Sequence, residues 1–180
     1  MHILVVSPLL PTPTSGQNTR NFHLLKTLAS CHHVSLLALE NDTQKISPDH
    51  LALLSALTDH MHIIAMHANS TKRWQQILGL LRGIPHVLQT FIIPEVQQAL
   101  DTLFVTHHFD AVLYEGMHIA DYRLPGNVMV ILDEHNIEFE LRLRTYQQEK
   151  ALLRKWYNWL EGHLLKFAEI ERCRRARVVL

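Results

Sequence analysis

Residues 1–30, MHILVVSPLLPTPTSGQNTRNFHLLKTLAS, contain a short apolar run, a proline-rich turn and a segment of helical spacing. The run at residues 3–6 is rich in β-branched side chains, which predicts a buried strand. At residues 18–29 the apolar side chains recur three and four positions apart, which predicts a helix. A strand joined to a helix by a short loop is the building unit of a parallel α/β sheet.

The same unit recurs along the chain. Further apolar runs predict strands that are buried on both faces, at residues 34–39, 63–65, 111–114 and 128–132. Segments of helical spacing lie between them, at residues 48–57, 73–81 and 95–105. We therefore expect an α/β fold, a Rossmann-like doubly wound parallel sheet with right-handed crossovers.

Residues 137–177 have a different pattern, with no proline and one glycine. Their apolar side chains follow i, i+3, i+4 spacing, at Leu152, Leu153, Trp156, Leu160, Leu164, Phe167 and Ile170. This spacing predicts two helices with a break at residues 148–151. A new apolar run at residues 178–180 predicts the first residues of a further strand. Because no repeat or low-complexity linker interrupts the chain, residues 1–180 are expected to form one domain.

Composition narrows the class of function. The 180 residues are 47% hydrophobic, and 17 Lys and Arg balance 17 Asp and Glu, so we expect no nucleic-acid partner. The two cysteines form no CxxC motif, and the first apolar run lacks the basic flank of a signal peptide. No run approaches the roughly 20 apolar residues that span a bilayer. These features predict a soluble, cytoplasmic domain.

The loop after the first strand is one candidate site, because ligands of open parallel sheets bind beyond the carboxyl ends of the strands. It leads through Gly16 into a helix whose free N–H groups favour an anion such as phosphate. The spacing is neither GxGxxG nor GxxxxGK[ST]. The alternative interpretation is a plain strand-to-helix turn.

Polar residues also follow the fourth and fifth predicted strands. Residues 115–118, EGMH, put a carboxylate and an imidazole at one strand end, and residues 133–138, DEHNIE, put a dense polar cluster at the next. Such a cluster is costly to fold unless it is solvated or used, and a histidine in it can act as an acid or a base. The alternative for His135 is a polar residue at the entry of a helix that Asn136 caps.

The 14 histidines raise the question of a metal site. Several are close in sequence, at residues 32 and 33, 60 and 62, and 107 and 108. None has the spacing of a metal-binding motif, so we expect surface histidines and no metal.

A basic run near the end of the chain comprises Arg172, Arg174, Arg175 and Arg177. We expect a solvated helix face near a helix C-terminus, where cations suit the helix dipole. A second interpretation is contact with anionic lipid headgroups, together with Trp156 and Trp159.

Three segments, taken in order, resemble the amino-terminal half of GT-B glycosyltransferases. They are SPLLPTPTSGQNTRNFHLLKTLAS at residues 7–30, FDAVLYEGMHIADYRLP at residues 109–125 and VILDEHNIEFELRLR at residues 130–144. The chain is most similar to the family 4 group of bacterial sugar transferases of exopolysaccharide assembly, and the resemblance covers essentially the whole chain. Members of that group usually have two glycines at the turn, where this chain has Gly16 and Gln17.

The resemblance implies that residues 1–180 are an acceptor-side domain, with the carboxyl-terminal nucleotide-sugar domain beyond Leu180. It implies transfer of a hexose from a nucleotide-sugar to a glycan or lipid-linked acceptor, with retention of anomeric configuration and no other cofactor. Without the second domain or a partner chain, the isolated chain is expected to be inactive. Peripheral contact with the inner face of the plasma membrane is a further expectation.

The resemblance also assigns roles by position in the motifs. Those expected to bind the donor are Gly16, against its diphosphate, Gln17 beside it, and Arg20 at the wall of the cleft. Those with catalytic roles, at the acceptor or sugar hydroxyls and near the transferred hexose, are Glu115 and His135. Those expected to bind substrate are Asp133, Asn136, Glu138 and Arg142.

Two other classes of function stay open. A non-catalytic module could keep the fold and bind a glycan, a lipid-linked sugar or a partner protein, and the Gln17 departure favours it modestly. A nicotinamide-dependent oxidoreductase is the weaker alternative, because GxGxxG is absent. NADH binding would favour it.

Overall fold

A computed structural model of the chain describes residues 1–13, 16–41, 46–66 and 78–180, and for Gln17 the backbone alone. The strands are His2–Ser7 (β1), His33–Asn41 (β2), His60–Met66 (β3), Ala111–Glu115 (β4), Met129–Asp133 (β5) and Val178–Val179 (β6). They form a six-stranded sheet in the order β3-β2-β1-β4-β5-β6, and all neighbours are parallel. The predicted α/β class, a Rossmann-like doubly wound parallel sheet, is confirmed.

Both faces of the sheet carry apolar core. Alternation along β1 sends Leu4 and Val6 to one face and Ile3 and Val5 to the other. β1 and β4 are buried almost throughout, because each has a strand on both sides. β3 is one of the two edge strands and none of its residues is fully buried, so the expectation of burial on both faces is wrong there.

The helices cover both faces. They are Gly16–Ala29 (α1), Pro48–Leu57 (α2), His86–Gln89 (α3), Pro94–Thr106 (α4), Glu138–Gln148 (α5) and Leu152–Arg175 (α6), with a 3-10 turn at Met117–Ile119. α1 and α2 pack through Phe22 and Leu54 on one face, and α4 and α6 pack through Leu100 and Cys173 on the other. Of the predicted helix at residues 73–81, residues 78–81 are helical and the rest lies outside the described residues.

α5 and α6 confirm the two helices predicted for the last part of the chain, with the break at residues 149–151. The two helices approach closely at Gly162, where a Cβ atom would come within 2.8 Å of Leu143 Cδ2. Glycine therefore allows the two helix backbones to pack side by side.

The apolar stripe of α6 faces solvent. Leu152, Leu153, Trp156 and Phe167 are between 62% and 87% exposed. The side of α6 that faces the protein instead buries mostly polar residues, namely Asn158, Glu161, Gly162, Leu165, Glu169 and Arg172. An apolar helix stripe ordinarily covers the core, so α6 has the reverse arrangement.

Within the described part of the chain, none of the helices combines the length and the apolar character that crossing a bilayer requires. α6, with 24 residues, is long enough but carries too many charged side chains.

Candidate functional site

The strand order places a switch point between β1 and β4, and we call the region at the carboxyl edge of these strands the crevice. From β1 the chain moves outward through β2 to β3, and then returns to the other side of β1 to build β4, β5 and β6. The loops that leave β1 and β4 therefore diverge, and ligands of doubly wound sheets bind at this switch point, beyond the carboxyl ends of the strands. The candidate residues after β1, β4 and β5 all lie at this edge.

The loop after β1 brings α1 to the crevice. The Ser7 hydroxyl, fully buried, donates a hydrogen bond to the Leu9 carbonyl oxygen at 2.6 Å and closes the turn that leaves the strand. Gly16 begins α1 with a φ of +36°, a conformation that disfavours residues with a Cβ atom. Arg20 follows one helical turn later, near the amino end of α1.

Arg20 joins α1 to the end of β5. Its Nη2 atom lies 2.5 Å from Asp133 Oδ1, and its Nη1 atom lies 3.0 Å from His135 Nδ1. The Arg20 side chain is 50% exposed, whereas that of Asp133 is completely buried. The guanidinium therefore covers a buried carboxylate on one side and faces the solvent of the crevice on the other.

The hydrogen bonds indicate which nitrogen of His135 carries the proton. A guanidinium can only donate, so Nδ1 of His135 accepts from Arg20 and the proton of the neutral ring is on Nε2. That nitrogen faces Glu115 Oε2 at 3.4 Å, which is long for a hydrogen bond. Arg20, His135 and Glu115 thus form a chain from the crevice to the interior.

Glu115 and Asp133 are paired by the sheet register, since they end the neighbouring strands β4 and β5. Gly116, with a φ of +95°, lets the chain turn away directly after Glu115. Both oxygens of Glu115 and Oδ2 of Asp133 are buried and have no hydrogen-bond partner among the described residues. Buried carboxylate oxygens in this state are available to accept hydrogen bonds from a ligand.

A second group of carboxylates lies beside the first. Burial, together with the carboxylates of Glu169 and Glu138, raises the pKa of Glu134 to about 7. Burial also raises the pKa of Glu138 and that of Glu169. Glu169 accepts a hydrogen bond from the backbone N–H of Phe139, which attaches the start of α5 to α6. The floor of this region therefore holds three carboxyl groups whose pKa values are all raised by burial.

Glu115, Asp133 and His135 could in principle bind a metal ion, because each offers one ligand atom within 4.8 Å of the others. None of the closely spaced histidines at residues 32 and 33, 60 and 62, or 107 and 108 belongs to this group. Arg20 already supplies a positive charge to Asp133 and occupies Nδ1 of His135. A cation at this position would have to displace the guanidinium, which makes the cluster a poor fit for a resident metal.

Of the remaining substrate-binding residues that the resemblance implies, Asn136 precedes α5, whereas Glu138 and Arg142 lie on it. Asn136 is exposed, and the N-cap residue of α5 is Ile137. The alternative in which Asn136 caps this helix is therefore wrong. Glu138 is close enough to interact with both His135 and Arg142. Arg142 lines a small pocket between α5 and α6, of about 120 Å³, and no described contact joins it to Arg20 or Asp133.

The position of Gln17 is described only in part, because its side chain lies outside the described residues. The sequence patterns assigned no role to Asn21, although it is buried beside Arg20 on α1. They also missed Glu169, because its partner Phe139 is 30 residues away. A polar residue on the inward side of a helix is the signal that could have indicated both.

Comparison with known proteins adds no family assignment. No protein-family model matches the chain, and no curated protein matches it. The geometry of the crevice is therefore the basis for inferring a function of the chain.

Proposed function

We propose that the chain is the acceptor-side domain of a glycosyltransferase. It acts on a nucleotide-sugar donor and transfers the hexose to a glycan or lipid-linked acceptor, once a second nucleotide-binding domain or chain completes the cleft. The observation that supports this most is the meeting of Arg20, Asp133, His135 and Glu115 at the switch point of the sheet. A half-exposed cation there, beside the amino end of α1, suits a diphosphate.

The reaction needs few groups from this domain. The bond between the anomeric carbon and the diphosphate breaks, a bond to the acceptor oxygen forms, and the acceptor hydroxyl gives its proton to a phosphate oxygen of the leaving diphosphate. The leaving diphosphate is stabilised by cations and backbone dipoles, which Arg20 and the start of α1 supply. Buried carboxylates at positions 115 and 133 accept hydrogen bonds from sugar hydroxyls and orient the hexose.

Donor binding and His135 are coupled in this proposal. A diphosphate competes with Asp133 and His135 for the Arg20 guanidinium, because phosphate is a strong bidentate acceptor. When Arg20 turns to the phosphates, Nδ1 of His135 loses its donor and can accept a hydrogen bond from a sugar hydroxyl. Arg20 thus links arrival of the donor to the state of the histidine.

Calorimetry with UDP-glucose and GDP-mannose tests the proposal on the 180-residue chain. Arg20→Ala is expected to weaken binding at least about tenfold, because a charge-assisted hydrogen bond to phosphate is lost. The matched control is Arg144→Ala, which removes an exposed arginine paired with Glu140 on α5. EDTA should change neither the affinity for UDP-glucose nor the affinity for GDP-mannose. Equal effects of the two variants would contradict the proposal, and so would absence of binding by the folded chain both alone and joined to a nucleotide-binding domain.

The coupling has its own readout. In a chain with ¹⁵N-labelled histidine, adding UDP-glucose should shift the Nδ1 resonance of His135, and Arg20→Ala should cause a similar shift without ligand. An unchanged resonance on saturation with donor would separate donor binding from His135 and remove the histidine from the reaction.

A non-catalytic glycan-binding module is the second candidate, and one observation favours it. The side chains of His135 and Glu115 are only 6% and 1% exposed, whereas a catalytic group must reach the reacting atoms. Titration with free oligosaccharides distinguishes the two functions. Binding that is unaffected by Arg20→Ala and needs no nucleotide would favour the module.

A further inference from the structure

The apolar stripe of α6 lies opposite the side that packs on the protein. At 100° per residue, Leu152, Trp156, Phe167 and Ile170 project within about 60° of one another, while the buried Leu165 projects to the other side. Trp156 and Phe167 are 62% and 73% exposed. His163 projects into the same sector, beside the ring of Trp159, so the stripe is a mostly apolar face with one imidazole in its middle, and no described residue covers it.

The same helix concentrates positive charge in a chain that is neutral overall. Residues 150–177 contain eight Lys and Arg and three Glu, and two of those glutamates, Glu161 and Glu169, are buried on the inner side of α6. Lys155 and Lys166 lie along the edge of the stripe that faces α5, where their ammonium groups sit over aromatic rings of that helix. The surface around the stripe is therefore strongly basic.

A basic groove adjoins the carboxyl end of the stripe. It has a volume of about 510 Å³ and lies between residues 126–130 and 174–177. Arg174 projects on the same side of α6 as Trp156 and Phe167, so the groove continues the stripe. Among the described residues, neither Arg174 nor Arg177 has a carboxylate partner, whereas Arg175 is paired with Asp121 and Glu171.

We propose that α6 is a membrane-surface helix: its apolar stripe enters the headgroup region of an anionic lipid bilayer, and the basic groove binds phosphate-containing headgroups. Leu, Trp and Phe on one face with Lys and Arg around them are the features of helices that lie in the plane of an interface. The proposal goes beyond the sugar-transfer function and does not depend on it.

Charge complementarity favours a lipid surface over a second copy of the chain. A second copy of the chain placed on the stripe would bring the basic edges of two α6 helices together, which is unfavourable. An anionic bilayer instead attracts these cations and accepts the apolar side chains at the same time. The occupant that satisfies both parts of the surface is therefore the anionic membrane.

Vesicle flotation tests the proposal on the whole chain. The chain should float with phosphatidylglycerol-rich vesicles and not with phosphatidylcholine vesicles. Trp156→Ser with Phe167→Ser should weaken binding at least about tenfold, because both apolar contacts are lost. Val105→Ser is the matched control, since Val105 is 87% exposed at the end of α4 and lies outside the stripe.

Two further readouts separate the parts of the surface. Arg174→Glu with Arg177→Glu should weaken binding by roughly fivefold or more per residue and reduce its salt dependence, with Lys26→Glu on α1 as the control. In a Trp74→Phe background, emission from Trp156 and Trp159 should shift to the blue on anionic vesicles.

Three results would overturn the proposal. The first is equal binding to neutral and anionic vesicles, and the second is equal binding by the stripe variant and the parent chain. The third is absence of vesicle binding by a parent chain that is dimeric in solution, together with a stripe variant that is monomeric. The last would assign the stripe to self-association. Donor binding measured by calorimetry is independent of all three, so this proposal and the sugar-transfer proposal can fail separately.

Discussion

The crevice and the outer face of α6 both reverse the usual distribution of polar and apolar residues. At the crevice, Glu115 and Asp133 are buried with carboxylate oxygens that lack partners among the described residues. On α6, Trp156 and Phe167 are mostly exposed. The two regions differ in whether the unfavourable groups have a partner. Arg20 partly neutralises the buried carboxylates, whereas none of the described residues covers the exposed stripe.

This difference has a consequence for stability and function. Removing one member of a buried polar pair leaves the other without a hydrogen-bond partner, so such a substitution changes the free energy of unfolding strongly. Exposed apolar groups affect it little, because they are in water in both the folded and unfolded states. We therefore expect the crevice residues to influence folding as well as binding, and the stripe residues to influence binding alone.

Within the crevice, the largest effect on stability is expected of Asp133→Ala. The substitution removes the partner of Arg20 at 2.5 Å and should lower the free energy of unfolding by about 2 kcal/mol. Urea unfolding measures it, with Asp101→Ala as the control, because Asp101 is exposed on α4 and should change stability by less than about 0.5 kcal/mol. Equal effects of the two substitutions would mean that the crevice charges do not stabilise the fold.

A smaller effect concerns pH. The pKa of Glu134 is raised to about 7, so the folded state holds the proton more tightly than the unfolded state. The stability that comes from this proton is present below the ordinary glutamate pKa and is lost as pH rises through about 7. Glu134→Gln stays neutral and should therefore be more stable than the parent chain at pH 8.5.

The size of this pH effect is limited because Glu134 is only partly buried. Solvent screens its neighbours, so we expect a gain of about 1 kcal/mol at pH 8.5 and almost none at pH 5. Thermal unfolding at the two pH values provides the measurement. A gain that is the same at both values would show that burial and the neighbouring carboxylates do not raise the pKa of Glu134 in the folded state.

The smallest effect is expected on the stripe. Trp156→Ser with Phe167→Ser should change the free energy of unfolding by less than about 0.5 kcal/mol. Leu165→Ala, on the buried side of the same helix, should lower it by about 3 kcal/mol. If the stripe variant unfolds as easily as the Leu165 variant, the stripe is covered in solution and the contrast between the two faces disappears.

Much of the fold could be predicted from local pattern. Residues 48–57 were predicted as a helix and form α2 with those bounds, because Ser47, Pro48 and the apolar spacing agree on where the helix starts. The break at residues 148–151 was also predicted closely, since residues 149–151 separate the two helices. Burial of β3 was predicted wrongly, because the edge of a sheet is set by strand order and not by strand composition.

The candidate site was predicted as a set of segments and not as a set of contacts. The polar residues after β4 and β5 were recognised from their position behind apolar runs. That Arg20 contacts Asp133 could not be predicted from spacing, because 113 residues separate them. The raised pKa of Glu134 likewise depends on Glu169, which only the packing of α6 brings near.

The sequence by itself determined which segments are strands and helices, and that polar side chains follow the strands, since both depend on neighbours along the chain. Tertiary structure alone decided that Arg20 compensates Asp133, that Glu115 is buried beside His135, and that the apolar stripe of α6 faces outward. Helical spacing defines a face but not its direction. That direction depends on which of the two faces fits the rest of the fold. Here the inner face, with Gly162, Leu165 and Glu169, fits against α5, α3 and the 3-10 turn.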